Sequence, residues 1–391
     1  MKKIKKILLM SEFTPPVLEG IAIMLYNLFS FFPSDSVCLF TDDPSKRKSK
    51  QDEKLRLPFK HYILRVPNFS FAFLRSSNVR AFLQYCWLPI IIMRGIWIMG
   101  KERGDAIFGV NSRGPYLVAA YYLHRITRRL LYVYMFDLWS KNLENSFQSK
   151  VAQIYEERIL KSAEKVFVMS EKLASYYKNK YSVDSEIINH SYINHPQKEL
   201  IDTNLGSEEH DYFEIAFTGV ATSDFTWLQL IRAVMVDLVE EKVRLKLCVP
   251  VIEYVKDIKE KNIVVKSLSR DKAIIEQKQS DVLFLPMFLR ANCAKEVLET
   301  ASPSKLGEYL ISGVPILVFA PHYSYISEYA IKGQWALVVN NYDKKELRSA
   351  ILRLKNDNNL RKTLVTNALR TAVDHDARIE SEKIQKHIFK I

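Results

Sequence analysis

The chain has 391 residues, 48% of them apolar and 12% aromatic, so it buries more than one ordinary core holds and two domains are expected. Lys and Arg outnumber Asp and Glu by 57 to 44, a net charge of +13. Cys38, Cys86, Cys248 and Cys293 lie far apart without paired spacing, which excludes a disulfide framework and a cysteine zinc site and fits a reducing, cytoplasmic compartment.

In chain order, MKKIKKILLMSEF opens with a basic stretch, but its apolar run is four residues long. It reads as a first buried strand over 4–10 and not as an export signal. IAIMLYNLFSFF (21–32) has helical periodicity and DSVCLFT (35–41) is the next strand. DAIFGV (105–110), LLYVYMFD (130–137), KVFVMS (165–170) and SEIINH (185–190) continue the strands, with helices over the PYLVAAYYLHRIT segment, 149–162 and 171–180. The stretch from about 193 to 212 is polar and reads as a linker. The pattern restarts with FEIAFTG (213–219) and a helix over 226–241. RLKLCVP, NIVVKSL, a helix over 271–279 and DVLFLPM (281–287) follow. PILVFAP, WALVVN (335–340), a helix over 343–355 and a long polar terminal helix close the chain. Strands alternating with helices predict parallel sheets covered on both faces. The expected fold is α/β: two Rossmann-like βαβ domains facing each other across a cleft. Their bounds are 1–195 and 196–370, with 371–391 as a terminal helix returning to the first domain.

The positive charge is unevenly spread. Residues 1–200 carry 30 basic and 18 acidic side chains, whereas 201–391 carry 27 and 26. Most of the excess lies in 46–103, with 13 basic and 3 acidic residues among Phe59, Tyr62, Phe69, Phe71, Phe73, Phe82, Tyr85, Trp87 and Trp97. Cations mixed with aromatic rings suit anionic lipid headgroups. They also suit single-stranded nucleic acid, or a plain solvated face. Within it, AFLQYCWLPIIIMRGIWIM (81–99) is interrupted by Gln84, Pro89, Arg94 and Gly95. It reads as a buried or surface-lying helix and not as a membrane span.

The segment SPSKLGEYLISGVPILVFAP (302–321) concentrates chemistry. Ser302 is expected as a helix N-cap with Pro303 at the first helical position, so Ser304 and Lys305 fall in the first turn. Free backbone N–H groups, a hydroxyl and an ammonium converging there make an anion site. Glu308, one turn after Ser304, would repel a phosphate and suits a pair of sugar hydroxyls instead. Gly313 is expected to end the helix in the left-handed conformation ahead of a buried strand. A nucleoside diphosphate carries both groups.

This segment resembles the "SPSKL-x-EYL-xx-G-x-P" stretch of retaining GT-B glycosyltransferases of the glycosyltransferase 4 type, and the resemblance covers nearly the whole chain. TPPVLEGIA (14–22) is similar to that family's first loop, YMFDLWS (134–140) to its Asp-Leu-Trp-Pro element, and AEKVFVMSEKLASYY (163–177) to its A-D-x-V-x-x-x-S unit. The resemblance implies a donor site of Gly219, Ser267, Ser302, Pro303, Ser304, Lys305, Leu306 and Glu308, with Glu308 on the ribose. It implies an acceptor-side loop with Glu12, Glu19 and Gly20. The chain departs from the pattern in three places. Glu19-Gly20 replaces two glycines; VATSDF after Gly219 lacks the usual Arg and Lys; and Thr300, beside Glu299, stands where many members have a first Glu. Phosphate neutralisation then falls to Lys305, with Lys295 as a further candidate.

The implied reaction moves a sugar from a UDP- or GDP-linked donor with retention, without metal or cofactor, the departing phosphate accepting the acceptor's proton. Lys305 stabilises the leaving charge, and Asp137, at the end of a strand, orients or deprotonates the acceptor hydroxyl. The acceptor expected is a membrane-associated glycan or glycolipid, such as a lipid-linked oligosaccharide or lipopolysaccharide precursor, with the protein peripheral on the inner face of the cell membrane and no nucleic acid partner. A nucleotide-sugar epimerase on the same fold, and a non-catalytic nucleic-acid or membrane-binding module, are the alternatives. Asp374-His375-Asp376 reads as a solvated helix surface, and His190, His195 and His322 as structural loop residues.

Overall fold

The computed structural model describes residues 4–43, 51–67, 77–112, 114–142, 146–193, 211–221, 225–249, 252–288 and 293–390. The polar stretch 194–210, His195, the TSD of VATSDF and the Phe69, Phe71 and Phe73 cluster lie outside the described residues. The chain forms two compact units. The first comprises residues 1–193, 300–304 and 377–391; the second comprises 194–299 and 305–376.

The first unit is built on a seven-stranded parallel sheet. Its strands are β1 (Ile7–Met10), β2 (Val37–Asp42), β3 (Lys60–Leu64), β4 (Ala106–Val110), β5 (Leu130–Met135), β6 (Lys165–Val168) and β7 (Ser185–Ile187), in the order β3-β2-β1-β4-β5-β6-β7. Its helices are α1 (Gly20–Phe29), α2 (Ser77–Tyr85), α3 (Leu88–Glu102), α4 (Tyr116–Thr127), α5 (Phe147–Ser162) and α6 (Glu171–Tyr181). β1 and β4 are buried at every residue, because side chains alternate between two covered faces. Leu8, Met10, Ile107 and Val133 pack with Ile91, Ile98 and Leu123 on one face. Ile7, Leu9, Phe108 and Tyr132 pack with Leu25, Leu28 and Phe29 on the other. The terminal helix, numbered α14 below (Ala377–Phe389), completes that second face with Ile384, Ile388 and Phe389.

The second unit holds a six-stranded parallel sheet in the order β10-β9-β8-β11-β12-β13. In sequence its elements are β8 (Phe213–Thr218), α7 (Thr226–Asp237), β9 (Val243–Cys248), β10 (Ile263–Lys266), α8 (Arg270–Lys278), β11 (Val282–Pro286), α9 (Lys295–Thr300) and α10 (Leu306–Leu310). β12 (Ile316–Phe319), α11 (Tyr325–Gly333), β13 (Ala336–Val339), α12 (Lys344–Asn356) and α13 (Asn358–Ala372) follow. In each sheet the chain's direction of travel reverses once, between β1 and β4 and between β8 and β11. Open parallel sheets place their ligands at the carboxyl ends of strands beside such a reversal.

The α/β reading with two parallel sheets holds, and several local expectations change. β3 is an edge strand in the basic stretch, and the apolar run 81–99 is divided between α2 and α3 by a turn at Cys86-Trp87. The stretch read as one polar terminal helix is broken at Val373–His375, where His375 is buried and its Nε2 lies 3.0 Å from the Tyr329 hydroxyl. That triplet is therefore not a solvated helix face.

Candidate functional site

In the second unit, β8 delivers its last residue, Thr218, and the following Gly219 to the sheet reversal. Thr218 is held from three sides. Its N–H donates to the Tyr309 hydroxyl at 3.1 Å, its Oγ1 accepts from Gln277 Nε2 at 2.8 Å, and its carbonyl accepts from Lys305 Nζ at 2.6 Å. Tyr309 and Gln277 are buried, so this polar knot is fixed in position. Gly219 has φ +131°, and a Cβ there would stand 2.8 Å from Lys305 Nζ, so glycine is required for the ammonium to approach the strand end.

Lys305 lies against the Phe217 ring, Nζ 3.9 Å from its centroid. Burial pulls its ammonium down to about 7, against the opposing pull of Glu308. A cation held this way gains from any anion placed beside it. Glu308, the third α10 residue, accepts from Arg270 Nη2 at 2.6 Å. Arg270 opens α8, directly after the N-cap Ser269. Among the described residues no acceptor reaches its buried Nε. Ser267 is exposed on the loop between β10 and α8. Lys295 is exposed and paired with Glu299 at 3.2 Å.

The helix expected from Ser302 begins later. α10 starts at Leu306 with Lys305 in the cap position, and Lys305 makes no side-chain capping bond. The N-cap reading of Ser302 and the first-turn placement of Pro303 and Ser304 are therefore corrected: these residues are irregular chain or turn counted with the first unit. Tertiary bonds hold them there. The carbonyl of Ser302 lies 2.9 Å from His190 Nε2, and that of Thr300 accepts from Ser170 Oγ at 2.6 Å. Gly20 adjoins Ser304, since a Cβ on Gly20 would meet Ser304 Cβ and Oγ at 3.3 Å. Pro303 and Leu306 are buried. Gly313 has φ +76°, but it does not cap the helix: α10 ends at Leu310, with Ile311 in the right-handed conformation as its cap.

In the first unit the loops after β1, β4 and β5 meet at the sheet reversal. Glu12 is buried, and one carboxylate oxygen accepts from Gly114 N–H at 2.6 Å. A Cβ on Gly114 would stand 2.7 Å from that carboxylate. Glu12 thus acts as a brace for the loop after β4. Glu19 is the N-cap residue of α1 without a side-chain capping bond. Asp137 follows β5. Its carboxylate accepts from Asn142 at 3.3 Å, and Asn111 holds its backbone by donating to the Asp137 carbonyl and accepting from Phe136 N–H. The loop beyond is anchored by Glu156 on α5, fully buried, which accepts from Ser140 N–H at 3.0 Å, Ser140 Oγ at 2.7 Å and Tyr181 OH at 2.9 Å. Among the described residues no three His, Cys, Asp or Glu side chains are grouped to hold a metal ion.

No family model matches the sequence, and no curated protein matches it. Solved structures do. HepE of Anabaena, in complex with UDP, has a TM-score of 0.71 at 13% identity, covering 99% of this chain and 100% of HepE. The chain has the GT-B fold. Sucrose-phosphate synthase of Thermosynechococcus elongatus gives 0.66 at 13% identity, with 98% of each chain covered. A Listeria monocytogenes protein described as a UDP-N-acetylglucosamine 2-epimerase gives 0.59 at 14%, covering 99% and 96%.

The sequence reading missed Arg270, Tyr309 and Gln277 as site-shaping residues, and Glu156 as the anchor behind Asp137. Arg270 is 38 residues from its partner, and no spacing rule links them. Glu156 sits in the helix read over 149–162, where no local pattern marks it as buried.

Proposed function

We propose that the chain is a GT-B glycosyltransferase that moves a sugar from a nucleoside diphosphate donor, a UDP-sugar first, to a hydroxyl of a membrane-associated glycan or glycolipid. The observation that carries this is the second-unit constellation at the end of β8: a lysine held against the Phe217 ring and the Thr218 carbonyl beside a positive-φ glycine, with a carboxylate one turn along the same short helix. The fold it shares with HepE, solved with UDP and with UDP-glucose, supports the UDP assignment.

In this reading the diphosphate settles against Lys305 and the open backbone at Gly219. Its negative charge restores the ammonium, and the charge that grows on departure is met there. Glu308 accepts from the ribose hydroxyls while Arg270 holds the carboxylate in place, and the unused Nε of Arg270 offers a donor to a ligand oxygen. Ser267 supplies a hydroxyl or backbone contact. The leaving phosphate takes the proton of the acceptor hydroxyl on the face from which it departs, giving retention. Asp137, steadied through Asn142 and Asn111, orients that hydroxyl. The reaction as proposed uses no metal.

Thermal stabilisation and calorimetry with UDP and GDP test the donor site, followed by transfer assays on lipid-linked acceptors. Absence of binding by either nucleotide overturns the reading. The likeness to the Listeria protein favours one second reading, a nucleotide-sugar epimerase. Conversion of UDP-N-acetylglucosamine with no acceptor present would establish it instead.

A further inference from the structure

α2 and α3 together carry a face that, among the described residues, stays largely exposed, although Phe82 packs edge-on with Phe147 and Trp97 with Tyr62. Along Asn78–Glu102 the side chains of Ala81, Ile91, Gly95, Ile98 and Met99 are buried, with Gly95 tight against Leu123 of α4. The opposite side exposes Phe82 (53%), Met93 (61%) and Trp97 (44%). With Val79, Cys86 and Ile90 these recur at three- and four-residue spacing, a single stripe. Two cations flank it. Arg94 lies 4.1 Å and Lys101 4.5 Å from the Trp97 ring centroid. Arg80 is also exposed beside it, whereas the one acid of the run, Glu102, is turned inward and neutralised by Lys6 and Lys60. By length and composition the 25-residue run is enough to cross a membrane, but its buried side is spent on the core.

We infer that the α2–α3 face is a membrane-docking surface on which the first unit lies against anionic lipid, with Phe82, Met93 and Trp97 entering the interface and Arg80, Arg94 and Lys101 meeting the headgroups. Charge complementarity selects this occupant: an apolar stripe edged by cations, with its acid withdrawn, matches acyl chains beneath anionic headgroups. A flat helix and not a span follows, because crossing the bilayer would tear Ile91 and Ile98 from the core. The inference deepens the proposed membrane-associated acceptor by naming the surface that brings the enzyme to it.

The full chain is tested by co-sedimentation with vesicles of phosphatidylcholine alone or mixed with phosphatidylglycerol, at low and high salt. Salt-sensitive binding to the mixed vesicles is expected. It should weaken about tenfold in Arg94→Glu/Lys101→Glu and in Phe82→Ser/Met93→Ser/Trp97→Ser. A polarity-sensitive dye on Cys86, with Cys293→Ser, should shift to the blue on the same vesicles. UDP stabilisation measured on every variant separates the two readings. Unchanged UDP binding with lost vesicle binding supports the docking surface, while lost vesicle binding to no variant, or equal binding to neutral vesicles, overturns it. Vesicle binding without any UDP response leaves the surface standing and removes the transferase. Resistance to salt and carbonate extraction, or binding of single-stranded oligonucleotide through these residues in place of vesicles, also overturns it.

Discussion

Arg270 donates through Nη2 to Oε1 of Glu308 at 2.6 Å, joining the first residue of α8 to the carboxylate proposed for the ribose. Both side chains are about a quarter exposed, so the pair contributes little to stability. Its worth lies in orientation. Glu308→Ala should weaken UDP binding by about tenfold or more, and Arg270→Ala by less, with melting temperatures nearly unchanged. Arg270→Lys should not restore affinity, because an ammonium lacks the guanidinium fork. Calorimetry on the three variants decides; unaltered affinity in Glu308→Ala removes the ribose role.

Lys305 carries a distinct pH signature. Its folded pKa is depressed to about 7 by burial, below the ordinary range near 10.4. Above pH 7 the free amine is largely neutral, and a bound diphosphate recharges it. UDP binding should therefore take up a proton at pH 8 and weaken as pH rises from 7 to 9. The same shift penalises the fold below pH 7 and disappears above about pH 10, where both states are neutral. Lys305→Met should lose the pH dependence of binding and gain relative stability toward low pH. Calorimetry in buffers of different ionisation enthalpy measures the uptake.

Gly114→Ala places a methyl group 2.7 Å from the buried carboxylate of Glu12 and pushes away the N–H it accepts. Loss of about 2–3 kcal/mol in urea unfolding is expected, as for other buried charges stripped of a partner. Alanine at Gly100 in α3, where a Cβ meets no atom within 4 Å, is the control and should not destabilise, with a gain of up to about 1 kcal/mol from helix propensity.

Glu102 is drawn down to about 2 by hydrogen bonds from Lys6, Lys60 and Tyr62. A depressed carboxylate stabilises the fold above its unfolded pKa near 4.3, and that contribution is lost as pH falls toward 2. Glu102→Gln should cost about 1–3 kcal/mol at pH 6, with the difference vanishing near pH 2. Urea titrations across this range check the slope.

The central strands were legible because burial on both faces leaves an uninterrupted apolar run, as in Ile7–Met10 and Ala106–Val110. The edge strand Lys60–Leu64 has only Tyr62 buried and blends into its basic surroundings. Lys305 and Glu308 stand out in the sequence by residue type and spacing. The start of their helix differs from the sequence reading because Ser-Pro at 302–303 satisfies every local rule for a cap, whereas bonds to His190 and Ser170, over a hundred residues away, hold that stretch outside the helix. Glu156 was invisible for the same reason: its donors arrive from 16 to 25 residues off, and only the fold brings them together.

α14 closes the face of the first sheet that α1 begins, seating Ile384, Ile388 and Phe389 beside Leu25, Leu28 and Phe29. During synthesis the first sheet is therefore made well before α14, the helix that completes this apolar flank. That sheet waits for its cover while the second unit is being made, and a nascent chain stalled after α13 would be prey for chaperones and proteases.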